Sequence, residues 1–197
     1  QILFSKELIL KMIIGFLPVA IIGFLVYPIV KHVLMGNILV EIIAIAVGGL
    51  VFLYFGNTFS NVSEKNITTD EPRELSIAEY FKLGCWQILA LVPGVSRSGS
   101  ILIGGLAQRL PIASVVNAAF LLAIPTMFAA SGYDLLKTGF SFTGQQWEVL
   151  IFGTIVSGIV AFFVAQFFMK IMKKPGALKL FGWYRIALAV LLVIIFF

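Results

Sequence analysis

The chain has 197 residues, of which 60% are hydrophobic and only 12% charged, and its mean hydropathy is +1.07. A soluble domain carries about 25% charged and 45–50% apolar residues, so this composition excludes one and marks a polytopic membrane protein. The net charge of +5 does not signal nucleic-acid binding, because the lysines cluster at the ends of apolar runs, where loop charges set topology.

Residues 8–30 form the first expected span, with Lys6 and Lys11 at one side and Lys31 and His32 at the other. Pro18 and Pro28 lie inside it, which a membrane helix tolerates when neighbours satisfy the freed carbonyls. His32 is the single histidine, and an interfacial loop explains it better than catalysis or ligation. Residues 38–55 form the second span. Glu41 sits near its start at the interface, and Gly48-Gly49 in its middle suits close helix packing. Residues 56–75 are the longest polar segment and read as a solvated loop. Its acids show no metal-ligand spacing.

Residues 76–92 read as a helix with a capping box, Ser76 followed by Glu79. Pro93-Gly94 ends it, since Pro lacks an N–H and Gly permits a sharp turn. A second apolar piece, 98–108, follows at once. At 1.5 Å per residue the two pieces are about 25 Å and 16 Å long, against a bilayer core of about 30 Å. Residues 76–108 are therefore expected to form a re-entrant hairpin with Ser96-Arg97-Ser98-Gly99-Ser100 at its tip. Cys85, the one cysteine, excludes an internal disulfide and is expected as a small buried core residue.

Arg97 at membrane depth requires an anion, a polar partner or water. Three serine hydroxyls, exposed backbone at Gly94 and Gly99 and a helix N-terminus surround it, and together these suit a phosphate. The alternative is a structural arginine that snorkels to a headgroup or bonds helix-end carbonyls.

Residues 112–136 form the next span, opened by Pro111. Pro125 within it predicts a kink or break, and Asn117 an interhelical hydrogen bond. After a polar turn at 137–146, residues 147–172 span again, anchored by Trp147. Gly153, Ser157 and Gly158 offer a small-residue packing face. Lys170, Lys173, Lys174 and Lys179 form the strongest basic cluster, with Pro175 among them, and residues 180–197 are the last span, with Trp183, Tyr184 and Arg185 near its start. Placing the cluster in the cytoplasm puts 56–75, Arg109 and the N-terminal lysines there too, and the turns at 31–37 and 137–146 outside. The fold expected is an all-α integral membrane protein, residues 1–197 forming one domain of about five transmembrane helices and one re-entrant hairpin.

Residues 87–99, Q-I-L-A-L-V-P-G-V-S-R-S-G, resemble the second signature of the bacterial undecaprenyl-diphosphatase (bacitracin-resistance) family, roughly Q-x-L-A-L-x-P-G-x-S-R-S-G. Residues 120–125 (F-L-L-A-I-P), 181–185 (F-G-W-Y-R) and 10–25 with Pro18 and Gly23 resemble further family segments. The resemblance implies a helical bundle with two re-entrant hairpins in inverted repeats. It implies hydrolysis of undecaprenyl diphosphate to the monophosphate, which recycles the lipid carrier of peptidoglycan synthesis in the inner membrane and confers bacitracin resistance. It assigns Arg97, Ser96 and Ser98 to catalysis and Gln87, Gly94, Gly99 and Ser100 to the substrate pocket. It also admits a divalent cation, Mg or Ca, and a homodimer.

The family's first signature, E-x-x-x-E with a serine-rich segment and a histidine, has no counterpart here. With Gln1 rather than Met at the start, the chain is expected to lack the first repeat, and with it part of the active site. Ile101 and Ala119 stand where the family often has threonine and serine. Two other readings stay open: a transporter or flippase for an anionic lipid or solute, since re-entrant hairpins serve those too, and a scaffold subunit with a structural Arg97.

Overall fold

A computed structural model describes residues 5–62, 72–139, 142–172, 174 and 176–197. Seven α-helices follow one another among these residues: α1 Lys6–Ile29, α2 Ile38–Val62, α3 Ile77–Gln87, α4 Arg97–Ala107, α5 Ile112–Thr138, α6 Gly144–Met172 and α7 Ala177–Phe196. No strand occurs among the described residues. Five stretches are long and apolar enough to cross a membrane, namely Lys6–Leu34, Ile38–Asn57, Ile112–Lys137, Gly144–Met172 and Ala177–Phe196. The protein is a multi-pass helical membrane protein.

The ends differ in detail from the sequence reading. A π-helical turn, Val30–Leu34, carries the first span past Lys31 and His32, so the first connection shrinks to the three residues before α2. The helix of the second span continues past its membrane-crossing stretch through part of the expected polar loop, to Val62. Residues 63–71 of that loop, residues 1–4, 140 and 141, and Lys173 and Pro175 of the basic cluster lie outside the described residues. Pro125 does not break α5. The neighbouring Thr126 hydroxyl donates to the Leu122 carbonyl at 2.7 Å, one way a membrane helix accommodates proline.

The helices alternate direction as the basic-residue pattern requires. At one end, Lys11 near the start of α1 bonds Glu74 at 2.8 Å. There too Ser114 at the start of α5 bonds Arg73, donating to its carbonyl at 2.7 Å and accepting from its amide at 2.9 Å. Lys179 of α7 lies against Gly56, where an added Cβ would meet its Cγ at 2.9 Å. At the other end Tyr27 of α1 and Tyr133 of α5 stack edge to face at 5.2 Å. Lys11 is 2% exposed and tolerable there because Glu7 and Glu74 both pair with it.

Between these helices α3 and α4 form a hairpin whose arms of 11 residues each are too short to span, about 16 Å apiece. The capping box forms as expected: the Glu79 amide donates to the Ser76 hydroxyl at 3.3 Å and the Ser76 amide to the Glu79 carboxylate at 2.8 Å. The Arg73 guanidinium bonds that carboxylate at 2.5 Å and, together with the cap, holds it at about 2, below the ordinary carboxylate range. The first arm departs from the single helix expected over 76–92, narrowing to a 3₁₀ turn at Ile88–Leu91.

The core centres on α4, buried continuously from Gly99 to Leu106, with Leu83, Ile101, Val115 and Leu122 fully enclosed. Lipid is as apolar as leucine, so close packing rather than water exclusion must hold the helices together. Glycines permit it: Gly104 faces Trp86 of α3 and Gly105 faces Val115 of α5, with no room for a side chain at either. Gly48-Gly49 packs as expected, with Gly49 against Gly182 and Ile186 of α7. Gly153 and Gly158 do not, since nothing lies within 4 Å of an added Cβ at either. α6 touches its neighbours mainly near its end, where Phe168 and Met172 join the core, so its small residues face outward. Cys85 is exposed rather than buried, because Gly84 beside it takes the face turned to Gly15 of α1. Asn117 is also exposed, and no hydrogen bond to another helix is found for it among the described residues.

Candidate functional site

The hairpin tip is shaped by its backbone. Gly94 adopts φ 89°, and a Cβ there would lie 2.5 Å from the Glu41 carbonyl oxygen. Only glycine meets both conditions without strain. Glu41 is four residues into α2 counting from Ile38, so the tip sits about 5 Å along the axis from that helix's start. Only the turn at Gly94 lies that far out: Gly99 lies against Phe52, deep in α2, and Arg97 against Met127 in the middle of α5.

Ser96 then caps α4. Its hydroxyl accepts from the Gly99 amide at 3.1 Å, and its carbonyl accepts from the Ser100 amide at 2.8 Å and the Ser100 hydroxyl at 3.0 Å. The Arg97 and Ser98 amides have no acceptor within the helix, as for any first turn. The Ser98 hydroxyl lies 3.4 Å from that of Ser96. Ser96, Ser98 and Gly99 line a cavity of about 220 Å³ closed on its far side by Tyr184 and Arg185 of α7. A second cavity of about 360 Å³ adjoins it, largely apolar, running between α2 and the hairpin past Val51, Trp86 and Ile103 and also reaching Ser96, Ser100 and Arg185.

Arg97 turns to the other side of the tip. Its Nη2 lies 3.4 Å from Met127 Sδ on α5, and its buried Nη1 has no partner. A guanidinium beside a thioether with a spare buried N–H is not satisfied by structure alone. Gln87 reaches the same turn of α5: its Nε2 donates to Thr126 Oγ1 at 2.8 Å, while Oε1 is buried and unpaired. The tip residues therefore come together as the motif suggests, but split over two faces. The serines and Gly99 face α7, whereas Arg97 and Gln87 face α5.

One residue was not foreseen. Arg185 reaches the tip from α7, its Nη2 donating to Gly94 O at 2.7 Å and Ala44 O at 3.3 Å. The signal in the sequence is its place, an arginine inside an apolar span. Neither Arg97 nor Arg185 has a carboxylate partner among the described residues. No three His, Cys, Asp or Glu side chains converge among the described residues. The donors at the tip, guanidinium, hydroxyl and amide, suit an anion and do not fit a divalent cation, so no chemical step is assigned to one.

Residues 4–191 match the family of the bacitracin resistance protein BacA. The chain belongs to this family. The BacA relatives it resembles include the undecaprenyl-diphosphatase of Aquifex aeolicus (strain VF5), 44% identical over 176 residues, which are 89% of this chain and 67% of that protein. The undecaprenyl-diphosphatase of Flavobacterium psychrophilum is 35% identical over 190 residues, 95% of this chain and 69% of that protein. That of Bdellovibrio bacteriovorus is 35% identical over 187 residues, with the same coverage of each. The BacA match takes in the whole hairpin and α7 as far as residue 191, including Arg185.

Proposed function

We propose that the chain acts as an undecaprenyl-diphosphatase in the bacterial inner membrane, with the hairpin tip as its diphosphate-binding site. Water attacks the terminal phosphorus, the bridging P–O bond breaks, and the products are undecaprenyl phosphate and inorganic phosphate. The lipid carrier of peptidoglycan synthesis is thereby recycled, and raised activity confers bacitracin resistance.

The observation that carries this reading is an unneutralised arginine beside a serine-capped helix start, within a hairpin too short to span. Charge that develops on phosphoryl oxygens is stabilised by fixed donors of this kind, the main lever in phosphoryl transfer. Arg97 supplies charge, the Ser98 hydroxyl and amide supply donors, and Ser96 holds the first turn of α4 open toward the cavity. Gly94, Gly99 and Ser100 shape the loop, and Gln87 ties its base to α5. The hairpin enters and leaves at the end carrying the basic cluster, and its tip reaches past the middle of the bundle, to Gly94 beside Glu41. The tip's own donors supply charge stabilisation and binding.

The test is phosphate release from farnesyl diphosphate in detergent, with the protein expressed from its native reading frame. Arg97→Ala and Arg97→Lys are expected to reduce the rate about a hundredfold or more, the scale of losing one oxyanion donor, at unchanged expression. Undiminished release would remove Arg97 from the site, and binding without turnover by the unaltered protein would favour a carrier.

A further inference from the structure

Arg185 occupies an arrangement that a purely structural arginine does not need. It lies eight residues into α7 from Ala177, about 12 Å along the axis, and no carboxylate pairs with it among the described residues. Its guanidinium lies flat on Gly48, where an added Cβ would be 2.6 Å from Nη2 and 3.0 Å from Nε. Nη2 is spent on the two carbonyls of Gly94 and Ala44, which hold the group in one orientation. Nε is buried and has no partner, and the residue lines both cavities that meet at Ser96. The donors left over, on Nε and Nη1, point to different sides of the guanidinium, and each can give a single charged hydrogen bond to a phosphoryl oxygen.

We infer that Arg185 is a second binding residue for the diphosphate, contacting it from α7 while its Nη2 holds the tip. This rests on the reading of the tip as a diphosphate site and extends it. Arg185 shares the cavity side of the loop with Ser96 and Ser98, so its contact adds to the serine donors there, whereas Arg97 approaches from the α5 side. The apolar cavity beside Arg185 leaves the first isoprene units a place between α2 and the hairpin, so the lipid's head and tail diverge at this residue.

The experiment uses inorganic diphosphate as the probe, read as protection of the whole chain against thermal unfolding in detergent and as a dissociation constant by titration calorimetry. Arg185→Lys keeps the charge and loses the Nε and Nη1 donors, and Arg185→Gln keeps an N–H for the Gly94 carbonyl and loses the charge. Both are expected to unfold near the wild-type temperature without ligand. The dissociation constant is expected to rise about tenfold in the Lys variant and more in the Gln variant, in keeping with a charged hydrogen bond. Unchanged binding in both variants overturns the inference while leaving the tip reading intact. If both fail to fold, Arg185 is a structural pin and the inference is likewise overturned. Failure of the unaltered protein to bind diphosphate at all removes the underlying reading as well.

Discussion

Gly94 is where sequence and geometry constrain one another most tightly. Its positive φ of 89° and the Glu41 carbonyl beside it leave no room for a side chain. Gly94→Ala is expected to destabilise the fold by about 1–3 kcal/mol, seen as a lower unfolding temperature in detergent, and an unshifted transition would contradict the close approach. This residue was legible in the sequence because Pro93-Gly94 is a local signal. So was Arg97, whose charge sits within apolar sequence. Arg185 carries the same signal, but its role in the tip is not legible in the sequence, because it comes from contact with Gly94 and Ala44, 91 and 141 residues away. Cys85 was misjudged for the same reason: composition says a thiol is at home in an apolar setting, but which face of α3 meets α1 is decided by Gly15 and Gly84.

Among the elements, the hairpin stands out because its first arm is fastened before it begins. Glu74 bonds Lys11 of α1, Arg73 bonds Ser114 of α5, and Arg73 also bonds Glu79 inside the cap. The Glu79 carboxyl titrates at about 2 in the fold against about 4.3 when unfolded. A group with its value lowered on folding stabilises the protein above its unfolded value and stops doing so as the pH falls through its folded one. Stability should therefore fall between about pH 4 and pH 2 as this group takes up its proton. Glu79→Ala is expected to cost about 1 kcal/mol at pH 7, as loss of a helix cap does, and to flatten that acid limb in thermal unfolding scans. An acid limb identical to the wild type would show that the Arg73–Glu79 contact does not form. The capping box was visible from Ser76 and Glu79 alone. The narrowing at Ile88–Leu91 was not, because its apolar residues satisfy a 3₁₀ turn and an α-helix equally well.

At the scale of the whole molecule, the five apolar spans and their alternating ends could be read directly, since span length and lysine position are set by the bilayer. What could not be read was depth. The turn at Gly94 lies beside Glu41 near the start of α2, while Arg97 lies against Met127 in the middle of the Ile112–Lys137 span and Gly99 against Phe52. Nor could the pattern say that α6 would stand apart with its glycines outward, because small residues look the same whether they meet a helix or lipid. The architecture concentrates packing around α4, a rigid support that holds a charged loop where hydrocarbon would otherwise reject it. The most direct test of that arrangement is an experimental structure of the protein with a non-hydrolysable farnesyl methylene-diphosphonate. Its diphosphonate is expected within hydrogen-bonding distance of the Ser98 hydroxyl and the first turn of α4, with its isoprenoid between α2 and the hairpin. A diphosphonate bound elsewhere, with the tip empty, would contradict the assignment of this loop to the lipid diphosphate.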